Sequence, residues 1–467
     1  MIDCDIVANV ATNGGGLFSG SATGCTISNN MARNGGGVYG STLSNCVIVA
    51  NSADENGGGT HGGTFNHCMF DMNSAGMEGG AAWGGDYAFC TIRSNSATTG
   101  GGLWTAGASN CTIVGNTATI GGGVYGGTIY NCLIVSNSAD YGGGTRYCWE
   151  RSCTNIYNRA AVDGGGSYPA YLSDLSKGVV AFNSAGRNGG GIMANGLCYI
   201  MNTMVFGNSA SNLGGGVYRG ELQYCTVVSN DAGTGGGTYF STSTYSIVYY
   251  NFATNGEHNT SASTYSYSCT TPDPGGAGNI TNAPLFKDLA EGDLHLLYGS
   301  PCIDVGTNEA PPVANDIEWN PRPLDGNYDG TNEYDMGAYE YDPATADSND
   351  DGVPDWWYHK YGLDPTNTAT THGHADADTM DNEGEWNADT DPTDPDSYLG
   401  FRDIEYVGPG MVVTHTAGTQ AWRFVESSYD RTNWFLTASN VPPTSVTNTT
   451  GFTPSQPERY LRIRAHR

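Results

Sequence analysis

Acidic side chains at fixed spacing are the first residues in this 467-residue chain with an obvious chemistry. Asp347, Asn349, Asp351, Gly352 and Asp355 stand at positions one, three, five, six and nine of a calcium-binding loop, with Tyr358 where a bidentate Glu belongs at position twelve. A second run reads His374, Asp376, Asp378, Thr379, Asn382 and Glu385, with His for the first Asp and Thr for the turn Gly. A third, Asp325, Asn327, Asp329 and Asp335, offers oxygens around Gly330. Crowded carboxylates repel one another unless a cation lies between them, so bound Ca2+ is the expected cofactor. The alternatives are a plain acidic turn at 325–335 and a solvated acidic linker beyond it.

Two further sets could recognise a ligand. Residues 145–182 gather Arg146, Trp149, Glu150, Arg151, Asp163, Asp174 and Lys177; irregular insertions of this kind become loops, where function concentrates, although a loop simply held by its own Arg–carboxylate pairs is the more economical reading. Cys148 and Cys198 stand ready to tie that loop down. The second set is a column of large side chains that recurs after each glycine run: Phe18, Tyr39, His61, Trp83, Trp104, Tyr125, Arg146, Tyr168, Met193, Tyr218 and Tyr239. Small or aliphatic residues precede them, in Leu17, Val38, Thr60, Ala82, Leu103, Val124 and Thr145. Alternation sends the small set inward and the aromatic set outward. Tyr39, Trp83, Trp104, Tyr125, Tyr168, Tyr218 and Tyr239 are thus the expected ligand-binding stripe, unless their stacking only stabilises a sheet.

What positions these residues is a repeat. An asparagine returns about every 21 residues, at Asn9, Asn30, Asn51, Asn73, Asn95, Asn116, Asn137, Asn158, Asn183, Asn208, Asn230 and Asn251. Glycine triplets follow five or six residues later, opening at Gly14, Gly35, Gly57, Gly100, Gly121, Gly142, Gly164, Gly189, Gly214 and Gly235. Five before the Asn stands Cys in most repeats, and three before it an apolar residue such as Ile27, Ile48 or Phe70. Cys-x-Ile alternation has the period of a strand with both residues facing inward.

A fixed period of this length marks a solenoid. Helical solenoids are excluded by the glycine content and the missing 3.6 period. A leucine-rich repeat lacks its Leu scaffold here, and the calcium-binding nonapeptide roll lacks Asp after its Gly pair. The expected fold is all-β: a right-handed parallel β-helix of about twelve coils, rising about 4.8 Å per coil to roughly 55 Å. The Asn is expected to tolerate left-handed backbone at a corner and to bond its copies above and below. The Cys column is expected to hold mostly free buried thiols, because parallel Cβ vectors make bridging awkward.

The motif pairs Ile48-Val49-Ala50-Asn51 with Gly57-Gly58-Gly59-Thr60, and Phe70-Asp71-Met72-Asn73 with Gly79-Gly80-Ala81, resemble the FxxN and GGA[ILV] repeats of chlamydial polymorphic membrane proteins. Over 1–255 the resemblance implies a surface-displayed, β-helical adhesin, although that family ends in a membrane β-barrel for which this chain has no room. The segments Gly299-Ser300-Pro301-Cys302-Ile303-Asp304, Asn320-Pro321-Arg322-Pro323-Leu324-Asp325 and Asp335-Met336-Gly337-Ala338-Tyr339 are similar to the closing segment of secreted bacterial β-helices labelled choice-of-anchor Q, which implies a C-terminal cap. The acidic runs resemble thrombospondin type 3 or dockerin-like calcium loops.

The expected domains are the β-helix at 1–298, its cap at 299–341, an acidic calcium-loop linker at 342–398 and a small β-sandwich at 399–467. The sandwich is read from alternation in Trp422–Glu426 and Tyr460–Arg464, with Trp434 between. Net charge is −29 and lysines are limited to Lys177, Lys287 and Lys360, which argues against nucleic acid and anionic membranes as partners. No apolar run reaches the length of a membrane span. Thirteen cysteines leave at least one unpaired and do not fix a compartment. No signal peptide is visible and Cys4, Ile6 and Asn9 already form a coil, so further sequence is expected upstream, and an open first coil invites self-association.

The function expected from these observations is non-catalytic: a secreted or cell-surface protein in adhesion or extracellular structure, contacting glycans or host and neighbouring cell-surface molecules, with filament formation as a variant. The alternative is a polysaccharide lyase or glycoside hydrolase with its site beside 145–182. The coils carry no paired Asp, no Gly-His-Gly and no Arg-x-Lys, so no catalytic residue is assigned.

Overall fold

The computed structural model describes residues 1–399, apart from 170, 172, 195, 307–312, 368–372, 377–379 and 398, together with the backbone of six strands between 400 and 466. The chain divides into two compact units, Met1–Tyr341 and Asp342–Arg467.

The first unit is a parallel β-solenoid with three strands or strand pairs per coil. Cys-x-Ile strands such as Asp5–Val7, Thr26–Ser28 and Val47–Val49 stack into a 13-stranded sheet ending at Cys269–Thr270. The strands after each Asn form a 12-stranded sheet. The third sheet follows the glycine triplets, as seven-residue strands like Val38–Ser44 and Leu103–Ser109 or as split pairs like Ala82–Trp83 with Asp86–Ala88. Inside, Ile27, Ile48, Phe70, Ile92, Ile113 and Ile134 are buried, as are the cysteines from Cys25 to Cys153. All thirteen cysteines are free thiols. Cys148 and Cys198 form no bridge: each is buried in its own coil.

The repeating Asn is a continuous ladder. The side-chain oxygen of Asn73 accepts from the backbone N–H (3.0 Å) and amide (3.1 Å) of Asn51, while the Asn51 amide also donates to the Ile27 carbonyl at 2.8 Å. The same bonds recur from Asn9 to Asn251, so each buried amide has its donors and its acceptor satisfied. The left-handed backbone lies one residue earlier than expected, at Asn29, Ala50, Met72 and Ser94, and the ladder asparagines stay outside that region. The glycines exist for the ladder. A Cβ on Gly37 would meet the Asn51 amide carbon at 3.0 Å, and one on Gly36 would come within 2.2 Å of the Ser52 carbonyl; Gly35 has φ +65°.

The repeat outlasts its sequence signature. A thirteenth coil forms from Thr260–Ser261, Thr264–Ser266 and Cys269–Thr270, where the sequence pattern ends at Asn251. Its Asn comes from the opposite turn: Asn259, aligned with the third glycine of the previous triplet, accepts from the Asn251 N–H at 2.9 Å. An amide side chain there replaces the next rung of the ladder.

Among the described residues of 299–341, expected as an end cap, a part packs along the flank of the later coils. Ala338, Tyr339 and Leu294 pack on the outward-turned Met204 and Val228. The Ala338 N–H donates to the Thr226 hydroxyl at 3.0 Å. Arg322 is fully buried: it pairs with Glu340 at 2.8 Å, donates to Asn202 at 3.0 Å and lies 4.7 Å over the Tyr224 ring. Asp335, expected as a calcium ligand, turns inward and accepts from the N–H groups of Asp304 and Tyr341.

The second unit contains helices Asp355–Lys360 and Asn382–Ala388, with Val353, Trp357 and Tyr358 forming its buried cluster. Two three-stranded antiparallel sheets complete it: Gly400–Val407, Gly410–Thr416 and Thr447–Phe452; and Phe435–Asn440, Trp422–Ser428 and Tyr460–His466. Trp434 lies outside the described residues.

Candidate functional site

Three surfaces carry the residues singled out from sequence. The aromatic column points outward as alternation requires, but its rings are stacked on one another. Centroids are separated by 5.2 Å for Phe18–Tyr39, 4.7 Å for Tyr39–His61, 4.2 Å for His61–Trp83, 5.0 Å for Trp83–Trp104 and 6.4 Å for Trp104–Tyr125, with interplanar angles of 8° to 14°. Apart from Phe18, which is exposed at the end of the stack, the rings lie half-buried between their neighbours, and their faces, the part that grips a sugar, are covered. Past Tyr125 the stack breaks. Arg146 sets its guanidinium 4.8 Å from the Tyr147 ring and 4.7 Å from Tyr168, and Tyr168 is only 8% exposed. Tyr218 and Tyr239 restart the stack at 5.7 Å. Each such pair contributes about 0.5–1.5 kcal/mol beyond its burial.

The acidic loops share one turn. Asp347 accepts from the N–H groups of Asp351 and Gly352 at 3.1 and 2.8 Å, and Asp325 accepts likewise from Asp329 and Gly330 at 3.1 and 3.0 Å. Asn327 and Asn349 share the same Asp329 and Asp351 N–H groups, at 2.9 and 3.3 Å. Asp355 instead takes the N–H and hydroxyl of Ser348, and the Tyr358 hydroxyl donates to Asp351 at 2.6 Å. Asn382 and Glu385 are buried at the start of the second helix, capped by Asp381; Asp376 precedes it, and Asp378 lies outside the described residues. Among the described residues no three His, Cys, Asp or Glu side chains converge as a metal cage.

The 145–182 cluster separates into four destinations. Arg146 joins the aromatic column. Asp163 pairs with Arg187 and accepts from the Asn188 N–H. Glu150 turns into the solenoid, where Thr145, Ser167 and Asn155 all donate to it; burial raises its pKa against the pull of those donors. Asn155 occupies the Ile column of the same coil, so this coil is polar inside. The buried apolar residues form one cluster ending at Cys148 and Cys153 and another starting at Leu175.

The remaining members stay outside and line a groove. Strand Trp149–Arg151 alternates, so Trp149 and Arg151 face outward while Glu150 faces in. Register places Tyr130 beside Arg151 on one side and Ser176 beside it on the other. With Asp174, Lys177 and Asn202 these residues bound a cavity of about 460 Å³. It shares Thr128 and Tyr130 with a depression of about 310 Å³ on the same sheet, lined by Thr64, Asn66, Asp86 and Ser109.

The far wall belongs to the closing segment. Lys177 donates to the carbonyls of Asn315 and Asp316, its ammonium 4.0 Å from the Trp319 ring and the Arg151 guanidinium 5.3 Å from it. Desolvation lowers the Lys177 pKa, aided by Arg151 and Arg322 and opposed by Asp316. Trp319 was not foreseen. It is remote in sequence from the strands it meets, and no repeat position announces it.

No protein-family model matches the chain, and no curated protein matches it.

Proposed function

We propose that this chain is a non-catalytic β-helix of the cell exterior, secreted or surface-displayed, serving adhesion or extracellular structure by laying a glycan along its third sheet. The observation that carries this reading is the pair of adjoining outer depressions, sharing Thr128 and Tyr130, whose linings run from Thr64 to Lys177. Hydroxyl, amide and carboxylate groups recur there once per coil, about every 4.8 Å, and suit a hydroxyl-rich chain running parallel to the axis. The resemblance of the repeats to polymorphic membrane proteins, and of the closing segment to choice-of-anchor Q proteins, supports placement outside the cell. The stacked rings from Tyr39 to Tyr125 are read as structural, since their faces are already covered.

Catalysis by a lyase or hydrolase is the second reading, favoured by Arg151, Asp174 and a Lys177 of lowered pKa in one groove. Against it, a hydrolase needs two carboxyl groups facing one bond, and the outward carboxylates of the described lining residues, Asp174 and Asp86, lie four coils apart, Glu150 being turned in. A panel of polysaccharides scored for binding and for new reducing or unsaturated ends separates the two. Binding without release is expected; release would sink the non-catalytic reading.

Calcium binding at Asp347, Asn349 and Asp351, and at Asp325, Asn327 and Asp329, belongs to the same proposal, supported by the turn the two loops share. A higher melting temperature in millimolar CaCl2 than in EDTA is expected, and coincident curves would remove calcium from it.

A further inference from the structure

We infer that the groove between strand Trp149–Arg151 and the closing segment is a subsite for the acid group of an anionic polysaccharide, a carboxylate or sulfate ester on a sugar ring. The inference rests on the reading that a glycan lies along this face, and adds its charge.

The chain has 47 acidic against 18 basic residues, so an anionic polymer is repelled over most of its surface and can approach only where cations are grouped. Arg151 and Lys177 are so grouped. Arg33, Arg93, Arg187 and Arg322 are each paired with a carboxylate, whereas Arg151 has no such partner among the described residues. Its planar fork suits a carboxylate or sulfate. Trp319 lies against both cations and the two carbonyls hold Lys177, so part of the side-chain freedom is already lost before an anion binds.

Trp149 adds the stacking platform. It is 47% exposed, and unlike the column rings it has no ring stacked on it among the described residues. Asp174 is the groove's negative group. Its strand runs beside Trp149–Arg151 with Leu175 opposite Glu150 and Ser176 opposite Arg151, which sets Asp174 at the Trp149 end. A sugar ring over Trp149 would therefore give its hydroxyls to Asp174 and its acid group to Arg151 and Lys177.

The test is affinity electrophoresis of the full chain in gels containing polygalacturonate, dextran sulfate or neutral dextran. At least one charged polymer is expected to bind tenfold or more tightly than dextran, in a salt-sensitive way, and which one binds tells carboxylate from sulfate. Arg151→Gln is expected to weaken that binding about tenfold with the melting temperature unchanged. Ser176→Asp, which places a carboxylate beside an intact Arg151, is expected to do the same and serves if Arg151→Gln loses stability. Dextran binding as tightly as both charged polymers, or Ser176→Asp leaving charged binding unchanged, would overturn the acid subsite while leaving the glycan reading intact. Failure of all three polymers to bind would overturn both.

Discussion

The coils from Leu17 to Tyr130 and the coil around Glu150 are built on the same frame and use their side chains in opposite ways. In the regular coils each column keeps one kind of side chain, so most side chains find a partner in the coil above or below: Asn on Asn, thiol on backbone N–H, ring on ring. Little is left over for a ligand. In the irregular coil the columns fail together. Arg146 replaces an aromatic, Asn155 an isoleucine, and Glu150 takes an inward position held by Leu43, Phe65 and Ile129 in other coils. The outward neighbours of Glu150, Trp149 and Arg151, then have no like residue to stack on. Regularity consumes chemistry internally, and its lapse releases it.

The largest test of that contrast is Asn116→Ala. It strips the acceptor from the Asn95 N–H and amide, and the side-chain donor from the Asn137 oxygen and the Ile92 carbonyl, while the backbone N–H of residue 116 still reaches Asn137. Buried groups left without partners make the expected loss about 3–5 kcal/mol in urea unfolding. A loss below about 1 kcal/mol would mean the ladder is a consequence of the stack and not a cause.

The polar coil should respond in the other direction. Glu150→Leu with Asn155→Ile restores both apolar columns and joins the two core clusters, leaving Thr145 and Ser167 bonded to each other at 3.1 Å. The double variant is expected to gain about 1–3 kcal/mol, since replacing a buried polar network by packed apolar groups often stabilises. Asn155→Ile alone removes a donor to Glu150 and is expected to lose about 1–3 kcal/mol. Additive effects of the two single changes would show that Glu150 and Asn155 do not act as a unit.

These residues also show how far the sequence could be read. Columns were legible because a parallel stack repeats each environment, so Ile27, Asn51 and Leu103 announce their direction by recurrence. The packing of the closing segment along the flank was not, because one buried Arg322 reaching Asn202 has no period to betray it. The groove was half legible: Trp149, Arg151, Asp174 and Lys177 stood out as an irregular cluster, and Trp319 entered only through that long-range docking. The aromatic column shows a different limit. Alternation gives the direction of a ring but not whether its face is free.

Two tryptophans make that limit measurable. Trp104→Ala removes stacks on Trp83 and Tyr125 and is expected to cost about 1–3 kcal/mol in stability while leaving polysaccharide binding unchanged. Trp149→Ala should do the reverse, with stability within about 0.5 kcal/mol and binding lost. If Trp104→Ala weakened binding and Trp149→Ala did not, the column and the groove would exchange roles.

The smallest expected effect is a slope. Burial lifts the Glu150 pKa above its ordinary value of 4.5, so the folded chain holds a proton that the unfolded chain releases. The sign follows: the contribution to stability is full below the unfolded value and declines as pH rises through the window up to the raised folded value, by at most about 1.4 kcal/mol per pH unit. Glu150→Gln keeps an acceptor for the Thr145 and Ser167 hydroxyls and cannot ionise. Unfolding free energies measured from pH 4 upward should fall more steeply for the native chain than for the variant, with the two curves parallel below the ordinary glutamate value. Parallel curves throughout would mean that Glu150 is charged inside the solenoid. The polar coil would then hold a buried carboxylate stabilised by Thr145, Ser167 and Asn155 alone, a stronger break from its regular neighbours than its hydrogen bonds already show.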